Sequence, residues 1–166
     1  MIGVMAYFWP RNSQIQESIA ETYPTEAISY LKAHSVQGNV LNFYLWGGYL
    51  DWNAPNIKVF VDSRVDIFEY AGVLQDYLQL LGSDTLVRQL NPILQKYDIR
   101  YVLFPPGNSS NPNLAGSGLI YLLQHDPNWI IAYQDKVCVL MERKKPAGQS
   151  LTMQVSGAYL FAQAAH

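Results

Sequence analysis

Residues 38–66 read GNVLNFYLWGGYLDWNAPNIKVFVDSRVD, and this stretch decides the fold. Residues 39–45 are a run of β-favouring side chains that reads as a mostly buried strand. Trp46-Gly47-Gly48-Tyr49 breaks it, and a loop with Asn53, Pro55 and Asn56 follows. Residues 57–61 read as a second strand, ending in the polar sequence Asp62-Ser63-Arg64-Val65-Asp66.

Upstream, residues 11–22 are polar and acidic, and Pro24 opens a short helix with Ala27, Ile28 and Leu31 on one face, ending near Gly38. Downstream, Val73, Leu74, Tyr77, Leu78 and Leu81 predict a helix over 70–81 that Gly82 closes. Ser83 or Asp84 can cap a second helix carrying Leu86, Leu90, Ile93, Leu94 and Tyr97, which Pro92 is expected to kink or split after Asn91. Residues 99–104 form the third strand, residues 105–113 a turn-rich loop, and a helix runs from Leu114 or Gly116 to His125. Residues 129–133 and 136–142 flank Gln134-Asp135 as an antiparallel hairpin. The order α-β-β-α-α-β-α-β-β predicts an α/β fold, a mixed sheet of about five strands flanked by helices in two or three layers and ending in a β-hairpin. Residues 1–22 form an N-terminal arm or membrane-proximal linker, 23–145 the folded domain and 146–166 a tail. Within the tail, 147–157 read as a linker and 158–162 as the start of a helix lacking a packing partner.

The chain has 166 residues and 18.8 kDa, the size of one domain, with 49% hydrophobic and 13% aromatic residues for a core. Eleven Lys plus Arg against 13 Asp plus Glu give a net charge of −2, without the basic excess that nucleic-acid binding needs. Cys138 is alone, which excludes an intrachain disulfide and a cysteine metal cage, and its apolar neighbours mark an inert, buried thiol. His34, His125 and His166 have no metal-ligand spacing, and the first two belong at helix C-termini. Gly116-Ser117-Gly118 is not a nucleophile elbow and reads as a helix start. No phosphate-binding or dinucleotide loop is present, so no cofactor is expected. Asn108-Ser109-Ser110 matches a glycosylation acceptor, a tripeptide common by chance, and Arg143-Lys144-Lys145 reads as a solvated strand exit. Met1 to Trp9 is apolar but far short of the roughly 20 residues that span a bilayer. Its Tyr7, Phe8 and Trp9 would suit a membrane interface, and a packed N-terminal strand or arm is the other reading.

Two segments point toward a site. Asp62, Arg64 and Asp66 alternate, so a persisting strand would project all three to one side as a compact polar cluster. Alternating charge also satisfies itself as an ion network holding a loop. Trp46, Gly47, Gly48, Tyr49 and Trp52 combine a tight backbone path with aromatics able to form a platform for a sugar or peptide. The same aromatics could belong to the core.

At these segments the chain resembles the soluble C-terminal domain of bacterial polytopic membrane glycosyltransferases of the type C class, relatives of mannosyltransferases and oligosaccharyltransferase catalytic subunits. The resemblance is carried by Pro24-Thr25-Glu26-Ala27, Gly38-Asn39-Val40-Leu41-Asn42, Trp46-Gly47-Gly48-Tyr49-Leu50 and Val59-Phe60-Val61-Asp62-Ser63-Arg64-Val65-Asp66. It continues through residues 94–103 and 129–135, so it covers roughly 23–143. Trp46 and Tyr49 also look like the aromatic positions of the Trp-Trp-Asp-Tyr-Gly acceptor signature of oligosaccharyltransferases, although glycine stands where that signature has aspartate. The resemblance implies an extracytoplasmic domain severed from a multi-spanning protein at the bacterial inner membrane, with Met1 to Trp9 the remains of its final membrane helix. The family's catalytic carboxylates lie in loops between membrane helices, so this fragment is expected to be inactive alone. Its expected partners are the rest of its own chain and a glycan or acceptor, bound through Trp46, Tyr49, Trp52 and the Asp62, Arg64, Asp66 cluster while the domain covers the membrane-embedded active site. A protein-interaction module without a carbohydrate role is the alternative, and a free-standing enzyme with Asp62 or Asp66 as base is a third reading.

Overall fold

The computed structural model describes residues 12–64, 69, 71–107 and 116–144, with the side chains of 83–87 outside the description. The first helix, α1 (Asn12–Thr22), has no buried residue. In α2 (Thr25–Ala33) the predicted stripe of Ala27, Ile28 and Leu31 is buried. The chain then runs through β1 (Gly38–Asn42), a single 3₁₀ turn (Tyr44–Trp46), α3 (Gly47–Asn53) and β2 (Ile57–Val59). After these come α4 (Val73–Leu81), α5 (Ser83–Lys96), β3 (Ile99–Phe104), α6 (Ser117–Gln124), β4 (Trp129–Gln134) and β5 (Val139–Arg143).

Among the described residues five strands form one mixed sheet in the order β2-β1-β3-β5-β4. β2, β1 and β3 are parallel, with Val40 opposite Val59 on one side and Tyr101 on the other. β5 is antiparallel to β3 and to β4, pairing Leu103 with Leu140 and Gln134 with Val139. Side chains alternate across this sheet and build a core on each face. Leu41, Val102, Phe104, Val139 and Met141 meet Tyr77, Leu80, Ile93, Leu94 and Leu119 from α4, α5 and α6. Val40, Leu103 and Leu140 meet Ala27, Ile28 and Leu31 of α2 and Leu50 of α3. The α/β class, the mixed sheet and the terminal hairpin are therefore as the sequence predicts, and the layers number three.

Four local expectations are corrected. Residues 12–22 are helical, although no apolar face betrays them. Residues 47–53, read as a break and loop, form α3. Pro92 lies inside a continuous α5: it is exposed, and buried Leu90, Ile93 and Leu94 anchor the helix on either side of it. A proline on the solvent side sits where helices tolerate longer hydrogen bonds. The hairpin turn is longer than Gln134-Asp135, because Asp135 Oδ1 accepts from the N–H groups of Val137 (2.7 Å) and Cys138 (2.8 Å) and holds both residues out of β5.

The expectations at His34, His125, Gly116 and Cys138 hold. His34 and His125 donate from Nδ1 to the carbonyls of Tyr30 (2.9 Å) and Tyr121 (2.8 Å), at the C-terminal ends of α2 and α6. Gly116 is the N-cap of α6 with φ +93°, and a side chain there would collide with the Phe104 ring. Cys138 is buried. Among the described residues no helix is long and apolar enough to cross a membrane, and no group of His, Cys, Asp or Glu could hold a metal ion. The apolar run at Met1 to Trp9, Asp66, most of the 105–113 loop including Asn108-Ser109-Ser110, Lys145 and the segments 147–157 and 158–162 lie outside the described residues.

Candidate functional site

In parallel α/β sheets ligands gather beyond the carboxyl ends of the strands. Here β1 ends on Asn42, a buried polar residue that follows Val40 and Leu41. Its Oδ1 accepts from the N–H groups of Phe60 (2.9 Å) and Val61 (3.3 Å), and its Nδ2 donates to the carbonyls of Val61 (2.8 Å) and Phe43 (3.0 Å). One side chain thus extends the ladder past Val59 and fixes the segment that delivers Asp62.

Against that segment lies the first turn of α3. A Cβ at Gly47 would stand 2.2 Å from the Val61 carbonyl oxygen and 2.6 Å from Asp62 Cα, so only glycine lets the helix approach this closely. Gly48, one residue on, faces open space and lines a cleft of about 440 Å³. Tyr23, Tyr44, Leu45, Tyr49, Trp52 and Ser63 complete most of its wall. Tyr23 and Tyr49 stack with ring centroids 4.5 Å apart, and burial, followed by the neighbouring Tyr23, pushes the Tyr49 hydroxyl pKa up. Trp52 is 88% exposed, an unusual state for the largest aromatic side chain.

Trp46 is not part of this platform. It is 3% exposed, its indole Nε1 donates to the Thr22 carbonyl (3.0 Å), and it packs edge-on against Phe43. Burial of a tryptophan requires a partner for its N–H, and the end of α1 supplies one. The aromatic wall consists instead of Tyr23, Tyr44, Tyr49 and Trp52.

The polar cluster forms without a persisting strand. β2 ends at Val59, and the chain turns at Asp62, whose Oδ1 accepts the Arg64 backbone N–H (2.8 Å). The guanidinium folds back onto the buried Asp62 carboxylate through Nε and Nη2, and Nη2 reaches Asp51 Oδ2 of α3 at 3.3 Å. The Arg64 hydrogen bond is the main cause that lowers the Asp62 pKa, while Asp51 is raised, chiefly by burial and then by Asp62. Asp66 falls outside the described residues, and Asp51 is the second carboxylate of the triad. This Asp62-Arg64-Asp51 brace ties the end of β2 to α3 and borders the cleft beside Ser63 and Gly48. With Asp62 and Arg64 engaged with each other, the cluster works as a brace, in keeping with the reading of alternating charge as an ion network.

The structure brings Gly47, Gly48, Tyr49, Trp52, Asp62 and Arg64, named as candidates from the sequence, together beyond the ends of β1 and β2, and adds Tyr23, Asn42 and Asp51, which the sequence does not single out. Asn42 had a signal, an amide flanked on both sides by apolar residues in VLNFYL. Tyr23 and Asp51 had none, because only the fold brings them to residues 26 and 13 positions away.

No protein-family model and no curated protein matches the sequence. Among solved structures the fold is similar to the C-terminal globular domain of an oligosaccharyltransferase from Archaeoglobus fulgidus, with a TM-score of 0.53 and 11% sequence identity, over 72% of this chain and 95% of that domain.

Proposed function

We propose that this chain is a non-catalytic globular domain of a bacterial membrane glycosyltransferase-like protein of the type C class, and that its aromatic cleft holds the glycan or the acceptor. The domain covers the membrane-embedded active site from the extracytoplasmic face of the inner membrane, and the rest of its own membrane-spanning chain is its main partner. The observation that carries the reading is the cleft itself: exposed Trp52 and stacked Tyr23 and Tyr49 around a side-chain-free Gly48, at the carboxyl ends of parallel strands. The fold shared with an oligosaccharyltransferase C-terminal domain supports it. Flat aromatic faces take the apolar face of a sugar ring, and Ser63, Asn53 and the tyrosine hydroxyls are placed to meet its hydroxyls. The role we assign to the domain is to position a ligand: Asp62 does not line the cleft, and its hydrogen bonds to Arg64 lower its pKa and so make it a weaker base.

A glycan array followed by calorimetric titration of the hits tests this. Trp52→Ala is expected to weaken binding about tenfold, a loss of ~1.4 kcal/mol, without moving the thermal midpoint. Absence of any saturable glycan, or equal affinity of the Trp52→Ala protein, would contradict the reading.

A further inference from the structure

A second hollow, of about 550 Å³, opens beside the cleft at the carboxyl ends of β1 and β3. Tyr23 and Leu45 line both spaces, so the two are adjoining compartments of one groove, with 68%-exposed Leu45 at their common boundary. Each compartment alone falls within the ~300–1,000 Å³ of small-ligand sites.

The walls of the second hollow are built rigidly. Trp46 is fixed by its bond to Thr22, and Phe43 lies edge-on to both Trp46 and Phe104, with centroids 5.3 and 6.0 Å away. Pro105 and Pro106 have ring-locked backbones. Val137 and Lys136 are presented by the turn that Asp135 closes, itself held by the Tyr133 hydroxyl at 2.9 Å. Two groups in this frame are free: the Glu21 carboxylate and the Lys136 ammonium are exposed, and neither forms a side-chain hydrogen bond or ion pair with another described residue. Apolar walls with one acceptor and one donor of opposite charge suit a neutral polyhydroxylated ring, which offers an apolar face and hydroxyls that both donate and accept. A fully anionic group would face Glu21 as well as Lys136, and a purely apolar ligand would leave both charges desolvated.

We infer that this hollow is a second saccharide subsite, and that the groove takes an oligosaccharide of at least two units lying across Tyr23 and Leu45. The inference rests on the saccharide reading of the cleft and adds to it a preference for chain length, with Lys136 and Glu21 determining specificity at the second unit.

Calorimetry on the full chain with two ladders, mannose to mannotriose and N-acetylglucosamine to chitotriose, tests it. In the ladder that binds, the trisaccharide is expected to bind about tenfold more tightly than the monosaccharide, the scale of one hydrogen bond to a charged group. Lys136→Ala, at an exposed turn position, is expected to remove most of that gain while leaving monosaccharide affinity within about twofold, and Glu21→Gln to do the same; Trp52→Ala weakens every length. A monosaccharide bound through Trp52 with no gain on lengthening, or a Lys136→Ala loss equal at all lengths, would overturn the second subsite and leave the cleft reading standing. No binding by either ladder or by any glycan of the array would overturn both. A flat ladder together with Lys136-dependent capture of an unglycosylated proline-rich peptide would also overturn it, and would mark the hollow as a peptide site.

Discussion

Replacing Gly47 and Gly48 separately by alanine turns the packing argument into numbers. Alanine is the better helix former by about 1 kcal/mol, and α3 has ordinary helical geometry at Gly47, with φ −54° and ψ −53°. Propensity alone therefore says that both substitutions stabilise. At Gly48 nothing lies within 4 Å of the new Cβ, so Gly48→Ala is expected to stabilise by about 0.5–1 kcal/mol. At Gly47 the new Cβ would meet the Val61 carbonyl oxygen at 2.2 Å, Asp62 Cα at 2.6 Å and Asp62 Cβ at 2.8 Å. None of these is the tip of a flexible side chain, and Asn42 holds the Val61 backbone through its N–H and its carbonyl. Overpacking of this kind costs about 1–3 kcal/mol, and the bonds to Asn42 place it at the upper end. After the propensity gain, Gly47→Ala is expected to destabilise by about 2 kcal/mol. For a chain of this size that lowers the thermal midpoint by about 4–8 °C, whereas Gly48→Ala raises it by a few degrees. Urea unfolding followed by far-ultraviolet circular dichroism reads the difference. A Gly47→Ala protein as stable as the wild type, or two glycines responding with the same sign, would refute the close approach of α3 to the Asp62 segment.

Three further outcomes follow from the same site. Asn42→Ala leaves the buried N–H and C=O of Val61 without their partner, while the Phe60 N–H keeps the Val40 carbonyl at 3.0 Å, and is expected to lower unfolding free energy by about 2–4 kcal/mol in urea melts; a loss under about 1 kcal/mol would show that the amide is dispensable. Asp62 has a depressed pKa in the folded protein, so its stabilising contribution is complete above the usual carboxylate value and disappears as pH falls through the folded value, below about pH 4. Arg64→Ala removes the main lowering cause and leaves burial, which raises the pKa, so acid destabilisation is expected to begin at higher pH than in the wild type; superimposable stability-versus-pH curves would contradict this. Burial, followed by the nearby Asp135, pushes the Cys138 thiol pKa up, so the native protein is expected to resist alkylation at pH 8 and the urea-unfolded protein to label fully, as mass spectrometry would report.

Much of the fold could be read from hydrophobic runs because most strands here are short apolar segments bounded by turn residues. Residues 99–104 were delimited to the residue, and the hairpin was misjudged only where the Asp135 side chain captures two backbone N–H groups that a strand would have used. Helices without a periodic apolar face were invisible. α1 buries nothing, and α3 begins with two glycines whose low propensity is outweighed by the contact that one of them permits. The site was legible by segment and not by role. Trp46 and Trp52 look equivalent in sequence, yet Trp46, which caps α3, is buried with its N–H bonded, and Trp52, within α3, is in solvent. Arg64 was expected to sit between Asp62 and Asp66, and its contact with Asp51 requires the tertiary approach of α3 to the end of β2.

The account rests most heavily on this domain being part of a larger membrane protein. An antibody raised to it, applied to fractionated source cells, measures that directly through the size and location of the native antigen. A membrane-bound band several times heavier than 18.8 kDa is the expected result, and a soluble band near 18.8 kDa would contradict the account.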